Sequence, residues 1–236
     1  MAYMNNRNNR NNSNARNRNT LPSRASNAPR LPLSGSEEPF NDLSLFSARR
    51  GKGNNNCYSW AIGQYSNSGE TKLQPGNLSQ SPGDLDLKSC SAIRLRTLAD
   101  LKGKAYLENP EKPCRQGYYK VMAFLAKDND YHWYKQHKDA VVRMTDKMRD
   151  LAALARALGV SPKQLVSPSA APKPGDVVLV KDAGVWSHKQ GFATPPLLRD
   201  ACGKVITDPR RACRDYGSLN YTEHCGSFCI KNRSTA

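Results

Sequence analysis

The chain has 236 residues, a formal net charge of +16 at pH 7 and a mean hydropathy of −0.73. This length suits one sizeable domain or two small ones, and the charge attracts polyanions whatever the fold. No apolar stretch approaches the roughly 18 residues of a transmembrane helix. The first residues lack the apolar segment of a secretory signal, so we expect a reducing compartment, with a cytoplasmic or virus-associated location favoured.

Residues 1–40 are predicted to form a disordered arm, because asparagine and arginine dominate and no apolar periodicity is present. Guanidinium groups bind phosphate oxygens without a fixed backbone, so the arm is a candidate contact surface for RNA or DNA. A solubilising extension without a partner is the alternative. The arginines of the arm are Arg7, Arg10, Arg16, Arg18, Arg24 and Arg30.

Residues 51–65, "GKGNNNCYSWAIGQY", place a cysteine where a polar loop meets a helical pattern. A helix starting at Cys57 and ending near residue 66 is predicted. The partial positive charge of a helix N-terminus stabilises a thiolate, which makes Cys57 a candidate nucleophile. The alternative is that Cys57 is a small apolar residue that opens a core helix.

After this helix, the apolar patterns alternate between helical and strand periods. The run before residue 180 is continuously apolar, which is typical of a strand inside a sheet. We therefore expect a folded domain over residues 41–236, in which residues 138–175 form a helical insertion and linker. The predicted elements are a helix over 92–105, a β-hairpin over 117–136, a helix over 139–158 that ends at Gly159, and a strand over 175–180.

The seven cysteines, at positions 57, 90, 114, 202, 213, 225 and 229, are too few for a disulfide-dense small protein. Their odd number leaves at least one thiol unpaired if the others bridge, and in a reducing compartment most are expected to be free. Cys225 and Cys229 lie beside His224, but no second pair completes a zinc site. We therefore predict no metal and no cofactor.

Two histidines are the candidate partners of Cys57. His132 lies in "DYHWYK" and His188 in "VWSHKQG", each in a predicted strand with aromatic neighbours. A thiol–imidazole pair needs both groups close in space and a third polar group that orients the ring. The alternative is that both rings are satisfied core residues packed on tryptophan.

These blocks resemble the papain-like superfamily, in which a helix with a cysteine precedes strands that carry a histidine. The NlpC-type amidases are nearest in the order of elements. "NNCYSWA", "DYHWYK" and "WSHKQG" are also similar to the N-C-Y-x-Y-A, D-Y-H-W-Y-R and W-S-H-K-P-G blocks of an uncharacterised family. The resemblance implies an α+β, papain-like fold with the Cys57 helix packed on a small antiparallel sheet. It also implies a cysteine peptidase or amidase that acts on a peptide or amide substrate.

The resemblance also suggests roles for the residues. His188 is expected to take the proton of Cys57, with His132 as the third member and Asp200 as the alternative to His132. The amide of Cys57, with the side chain of Asn55 or Asn56, is expected to stabilise the oxyanion.

A second hypothesis is a nucleic-acid-binding or coat-associated protein. In that case the basic arm neutralises phosphates, and the papain-like fold serves as a scaffold.

Overall fold

The computed structural model describes residues 29–41, 43–47, 54–66, 72–148, 150–192 and 194–233. Arg7, Arg10, Arg16, Arg18 and Arg24 of the predicted arm lie outside these residues. The described elements, in chain order, are β1 (Phe40–Asn41), a 3₁₀ turn (Leu45–Ser47), α1 (Cys57–Ala61), α2 (Cys90–Leu101), β2 (Ala105–Glu108), β3 (Tyr118–Ala126), β4 (Asp130–His137), β5 (Ala140–Arg143), α3 (Leu151–Leu158), a 3₁₀ turn (Pro162–Gln164), β6 (Leu165–Val166), β7 (Val177–Val180), β8 (Val185–Lys189), β9 (Pro196–Leu197), a 3₁₀ turn (Pro209–Arg211) and β10 (Glu223–Lys231).

The larger sheet has six strands in the order β2-β10-β3-β4-β8-β9, all antiparallel. The predicted hairpin is confirmed as β3 and β4, joined through Asp128 in the left-handed region, at φ 59°. Side chains alternate between the two faces of this sheet. Tyr131 and Trp133 of β4 pack with α1 on one face, whereas Tyr134 packs with Phe124 on the other.

The smaller sheet has the order β1-β5-β7-β6, in which β1 runs parallel to β5 and the other neighbours are antiparallel. The predicted helix over 139–158 is wrong in its first half, because residues 140–143 form strand β5 and α3 begins only at Leu151. The Asp150 side chain accepts a hydrogen bond from Ala153 N at 2.6 Å and caps this helix, which ends at Gly159 as predicted. Residues 138–175 are therefore not a helical insertion but supply two strands of this sheet.

The predicted boundary of the arm at residue 40 is also wrong, because residues 29–41 lie on the folded domain. Leu31 is 4 % exposed in a core cluster. Arg30 donates hydrogen bonds from Nη2 to the oxygens of Leu158 at 2.8 Å and Gly159 at 2.7 Å, at the C-terminus of α3. Arg30 is thus held at a helix end, which removes it from the candidate phosphate ligands.

All seven cysteines lie within the described residues, and six of them form disulfides. The prediction of mostly free thiols is wrong, and Cys57 is the cysteine left unpaired. Disulfides persist in oxidising environments, so the prediction of a reducing compartment loses its support. The pairs are Cys90–Cys225, Cys114–Cys229 and Cys202–Cys213.

The expected mixture of helices and sheet is confirmed, with strands as the main component. None of the helices in the described part of the chain has the length and apolar character that a membrane span requires.

Candidate active site

Cys57 is the first residue of α1, and reciprocal hydrogen bonds fix this helix start. Ser59 N donates to Asn56 Oδ1 at 2.9 Å, and Asn56 N donates to Ser59 Oγ at 2.8 Å. Cys57 is 6 % exposed, and its thiol donates to Tyr131 O at 3.9 Å. The backbone amide of Trp133 is directed at the same sulfur. The sulfur therefore lies against one edge of β4, since alternate residues of a strand point their backbone groups to the same side.

This edge of β4 is open because β8 pairs with β4 only along residues 134–137. A cavity of about 190 Å³ fills the gap between β4 and the residues that follow β8. Cys57 and His132 both line this cavity, and Lys72, Asp130 and Gln190 are among its other polar residues. Because this edge is open, Cys57 on one face of the sheet and His132 on the other line the same cavity.

The two candidate histidines form a chain of hydrogen bonds. His132 Nε2 lies 2.7 Å from His188 Nδ1, and His188 Nε2 lies 2.7 Å from Arg199 O. A carbonyl oxygen only accepts, so His188 carries its proton on Nε2 and accepts at Nδ1 when it is neutral. His132 then carries its proton on Nε2, and its Nδ1 keeps a lone pair. The Arg199 carbonyl thus sets both tautomers and leaves a basic nitrogen on the ring that lines the cavity.

Both rings are neutral at physiological pH because they are buried. Burial lowers the pKa of His188 to about 4, although Arg199 O and Asp200 oppose the shift. Burial also lowers the pKa of His132 well below its ordinary value, and the neighbouring His188 adds to this effect. Tyr221 stacks on the His132 ring with centroids 5.0 Å apart, and its hydroxyl donates to Asp130 at 3.0 Å. The His132 ring is therefore fixed both by a hydrogen bond and by packing.

The resting thiol is protonated. Burial, and to a smaller extent the carboxylate of Asp130, raises the pKa of Cys57 to about 12, although Lys72 and the amides of Trp133 and Tyr58 oppose the shift. The hydrogen bond from the thiol to Tyr131 O requires the same proton. The expectation of a preformed thiolate at the helix N-terminus is therefore wrong, because desolvation outweighs the charge at the start of a short helix.

Four of the predicted site residues make contacts other than those expected. Both ring nitrogens of His188 are engaged, so His188 is not placed to take the proton of Cys57 directly. The carboxylate of Asp200 accepts from the amides of Cys202, Lys204 and Cys213, at 3.0, 2.9 and 3.0 Å, and so shapes the loop beside Arg199. The other two are the predicted oxyanion donors, Asn55 and Asn56.

The side chains of Asn55 and Asn56 are held by structural hydrogen bonds. Asn55 Nδ2 donates to Ser66 O at 3.0 Å, and Ser66 N donates back to Asn55 Oδ1 at 2.9 Å. Asn56 Nδ2 donates to Leu73 O at 2.7 Å, while its oxygen caps α1. The two amides thus hold the loops around α1, and neither side-chain nitrogen is directed by these bonds toward an oxyanion.

A histidine–hydroxyl pair lies on the face of β4 and β8 opposite to His132 and His188. His137 Nε2 is 2.7 Å from Ser187 Oγ, which also accepts from Trp60 Nε1 at 2.9 Å, and His137 Nδ1 is 2.9 Å from Glu38 O. His137 ends β4 and is 0 % exposed. Since each atom of this network is satisfied within the core, the network anchors α1 on the sheet.

The sequence did not single out Lys72, Asp130 or Tyr221 as site residues. The sequence contains one signal about the surroundings of His132, the alternation in "DYHWYK", which places His132 and Tyr134 on the same face of a strand. Among the described residues, no three His, Cys, Asp or Glu side chains form a group suited to a metal ion. Comparison of the chain with protein-family models, with curated proteins and with solved structures gave no significant match.

Proposed function

We propose that the protein is a cysteine hydrolase, a peptidase or amidase, in which Cys57 is the nucleophile, His132 the base and His188 the residue that orients the base. The observation that carries this proposal is the chain from His132 through His188 to Arg199 O, which ends in a basic nitrogen at the cavity shared with Cys57. A nucleophile, an adjacent base and a third group that holds the base are the features of such a site.

In the proposed reaction, the thiol of Cys57 turns from Tyr131 O toward His132. Nδ1 of His132 takes the thiol proton while Sγ bonds to the carbonyl carbon of the substrate. The imidazolium that forms is stabilised because its Nε2–H donates to His188 Nδ1. The proton then passes to the leaving nitrogen, the C–N bond breaks and a thioester remains.

Water completes the reaction. His132 removes a proton from the water molecule as its oxygen attacks the thioester carbonyl. The C–S bond then breaks, the carboxylic acid leaves and the proton returns to Cys57. Lys72 lowers the pKa of Cys57 across the cavity, so its charge also favours the negative charge that develops during attack.

The test uses the full chain and a panel of peptides and simple amides, with the acyl-thioester on Cys57 detected by intact mass. We expect Cys57→Ala to form no adduct, and His132→Gln to slow its formation by about 10²- to 10⁴-fold, the range for loss of a general base. His224→Gln is the control, because this histidine lies on β10 and does not line the cavity. Product release by Cys57→Ala, or full activity of folded His132→Gln, would refute the proposal.

The nucleic-acid-binding or coat-associated hypothesis depends mainly on arginines outside the described residues, so it stays a prediction. Deleting residues 2–28 should lower the affinity for RNA or DNA and flatten its salt dependence. An unchanged salt slope would remove the arm from this hypothesis.

A further inference from the structure

Two buried polar atoms near a β-bulge in β10 have no hydrogen-bond partner. Ser227 is 2 % exposed, and both its Oγ and the Nε2 of His224 are unpaired. The register of β10 against β3 shifts between His224 and Gly226, and Gly226 has φ 134°, which favours glycine. Bulges redirect side chains and are common beside functional sites, while buried donors without partners are rare and costly.

A pocket of about 300 Å³ opens at this bulge. It forms because β2 pairs with β10 only along residues 227–230, which leaves the preceding edge of β10 uncovered. His224 and Ser227 line the pocket, and Arg94 joins them from α2. Arg94 Nε donates to Cys225 O, and its two Nη groups take no part in that bond.

The charged groups that act on His224 are mostly positive, although Asp208 opposes them. Arg210, Arg214 and Arg94 all lower the pKa of His224, after the larger effect of its burial. The carboxylate of Glu108 also lines the pocket and accepts from Asn109 N at 2.9 Å. Arg94 and Glu108 are the charged side chains that line the pocket, whereas Arg210 and Arg214 act on His224 from outside the lining.

We propose that this pocket binds a tetrahedral oxyanion, such as a phosphate group, through Arg94, Ser227 and His224. The guanidinium supplies charge-assisted hydrogen bonds, and the anion supplies the missing acceptor for the Ser227 hydroxyl and for the ring N–H of His224. The site does not depend on the proposed hydrolase. Phe124 on the intervening strand separates His224 from His132, and the spacing of two strands sets these histidines about 10 Å apart.

Inorganic phosphate is the first probe, titrated at constant ionic strength into the full chain with ¹⁵N-labelled histidine. We expect a saturable shift of the His224 ring signals, which are assigned by their loss in His224→Gln. Arg94→Gln should weaken binding about tenfold, as for loss of a hydrogen bond to a charged group. Arg156→Gln, an exposed helical arginine on α3, is the control and should bind like the parent chain. A non-saturable shift, or equal binding by the two arginine variants, would overturn the proposal.

Ser227→Ala separates binding from a structural role. It removes an unpaired buried hydroxyl, so its Tm should stay the same or rise while phosphate binding weakens several-fold. A lower Tm with unchanged phosphate affinity would overturn the assignment of Ser227 to the site.

A single-stranded oligonucleotide then distinguishes the two sources of such an anion. If the natural ligand is a phosphodiester, Arg94→Gln should reduce the slope of log K against log salt by about 0.7, the value for one phosphate contact on a single strand. This change should persist when residues 2–28 are deleted. If the natural ligand is a free phosphate, oligonucleotide binding should stay the same while phosphate binding falls. Absence of both effects would leave no ligand for the pocket and overturn the proposal.

Discussion

The rate at which native Cys57 is alkylated should rise about tenfold for each pH unit between pH 6 and 10. The reagent reacts with the thiolate, and burial raises the pKa of this thiol from its ordinary value of 9.0 to about 12. At pH 8 an ordinary thiol is about one-tenth ionised, whereas Cys57 is ionised to about one part in ten thousand. Alkylation should therefore be about 10³-fold slower than in the unfolded chain.

The measurement is simple because the other six cysteines are paired. Iodoacetamide adds one mass increment per chain, and the same chain in guanidinium without reductant gives the reference rate of the exposed thiol. Asp130→Asn should accelerate labelling, since the carboxylate of Asp130 raises the pKa of Cys57. Asp128→Asn is the matched control, because it makes the same change at an exposed turn residue. Asp128 has a left-handed backbone, at φ 59°, which asparagine also tolerates.

A plateau in the labelling rate near pH 7 would refute this reasoning. It would mean that Cys57 and His132 exist as a thiolate–imidazolium pair, in which case desolvation does not govern either group. A rate that stays low and independent of pH would instead mean that access to the sulfur, rather than ionisation, limits the reaction.

Three further predictions concern stability. The free energy of unfolding should fall by about 2 kcal/mol for each of His137 and His188 between pH 7.5 and 5, measured by urea titration. The unfolded chain takes up protons below pH 6.5, whereas burial lowers the pKa of His137 to about 3 and that of His188 to about 4 in the folded chain. Replacing Cys90 and Cys225 by alanine should cost about 4–5 kcal/mol, because the Cys90–Cys225 disulfide closes a separation of 135 residues, and calorimetry of the double variant beside the parent chain checks this. Leu31→Ala should cost about 2–4 kcal/mol by urea titration, whereas a disordered residue 31 would give no change.

The hairpin of β3 and β4 could be predicted because its alternation and turn are local. The hydrogen bond between His132 and His188 could not be predicted. It depends on the pairing of Tyr134 with His188 between two strands that are distant in the sequence. In the proposed hydrolase, the same register decides which ring serves as the base. The proposed order of the two histidines is therefore the reverse of the order expected from the sequence.

Other errors arose where tertiary contacts override local pattern. Residues 139–158 have a helical apolar period, yet Val141 and Val142 pair with β7 and extend the smaller sheet. The N-terminal segment looked featureless because one buried leucine and one capping arginine give no periodicity. The disulfides were missed for a different reason, since cysteine spacing does not determine which thiols meet in the fold.

The burial of Cys57 links the disulfides to the proposed chemistry. Thiol–disulfide exchange proceeds through the thiolate, so a buried thiol with a raised pKa reacts slowly with disulfides, including the three of this chain. The same protonation makes the resting sulfur a poor nucleophile, which is why the proposed hydrolase needs a base within the cavity. Because the Arg199 carbonyl fixes His132 with its lone pair on Nδ1, that base is available only to a group that enters the gap between β4 and β8. Activation of the thiol would then be coupled to occupancy of the cavity.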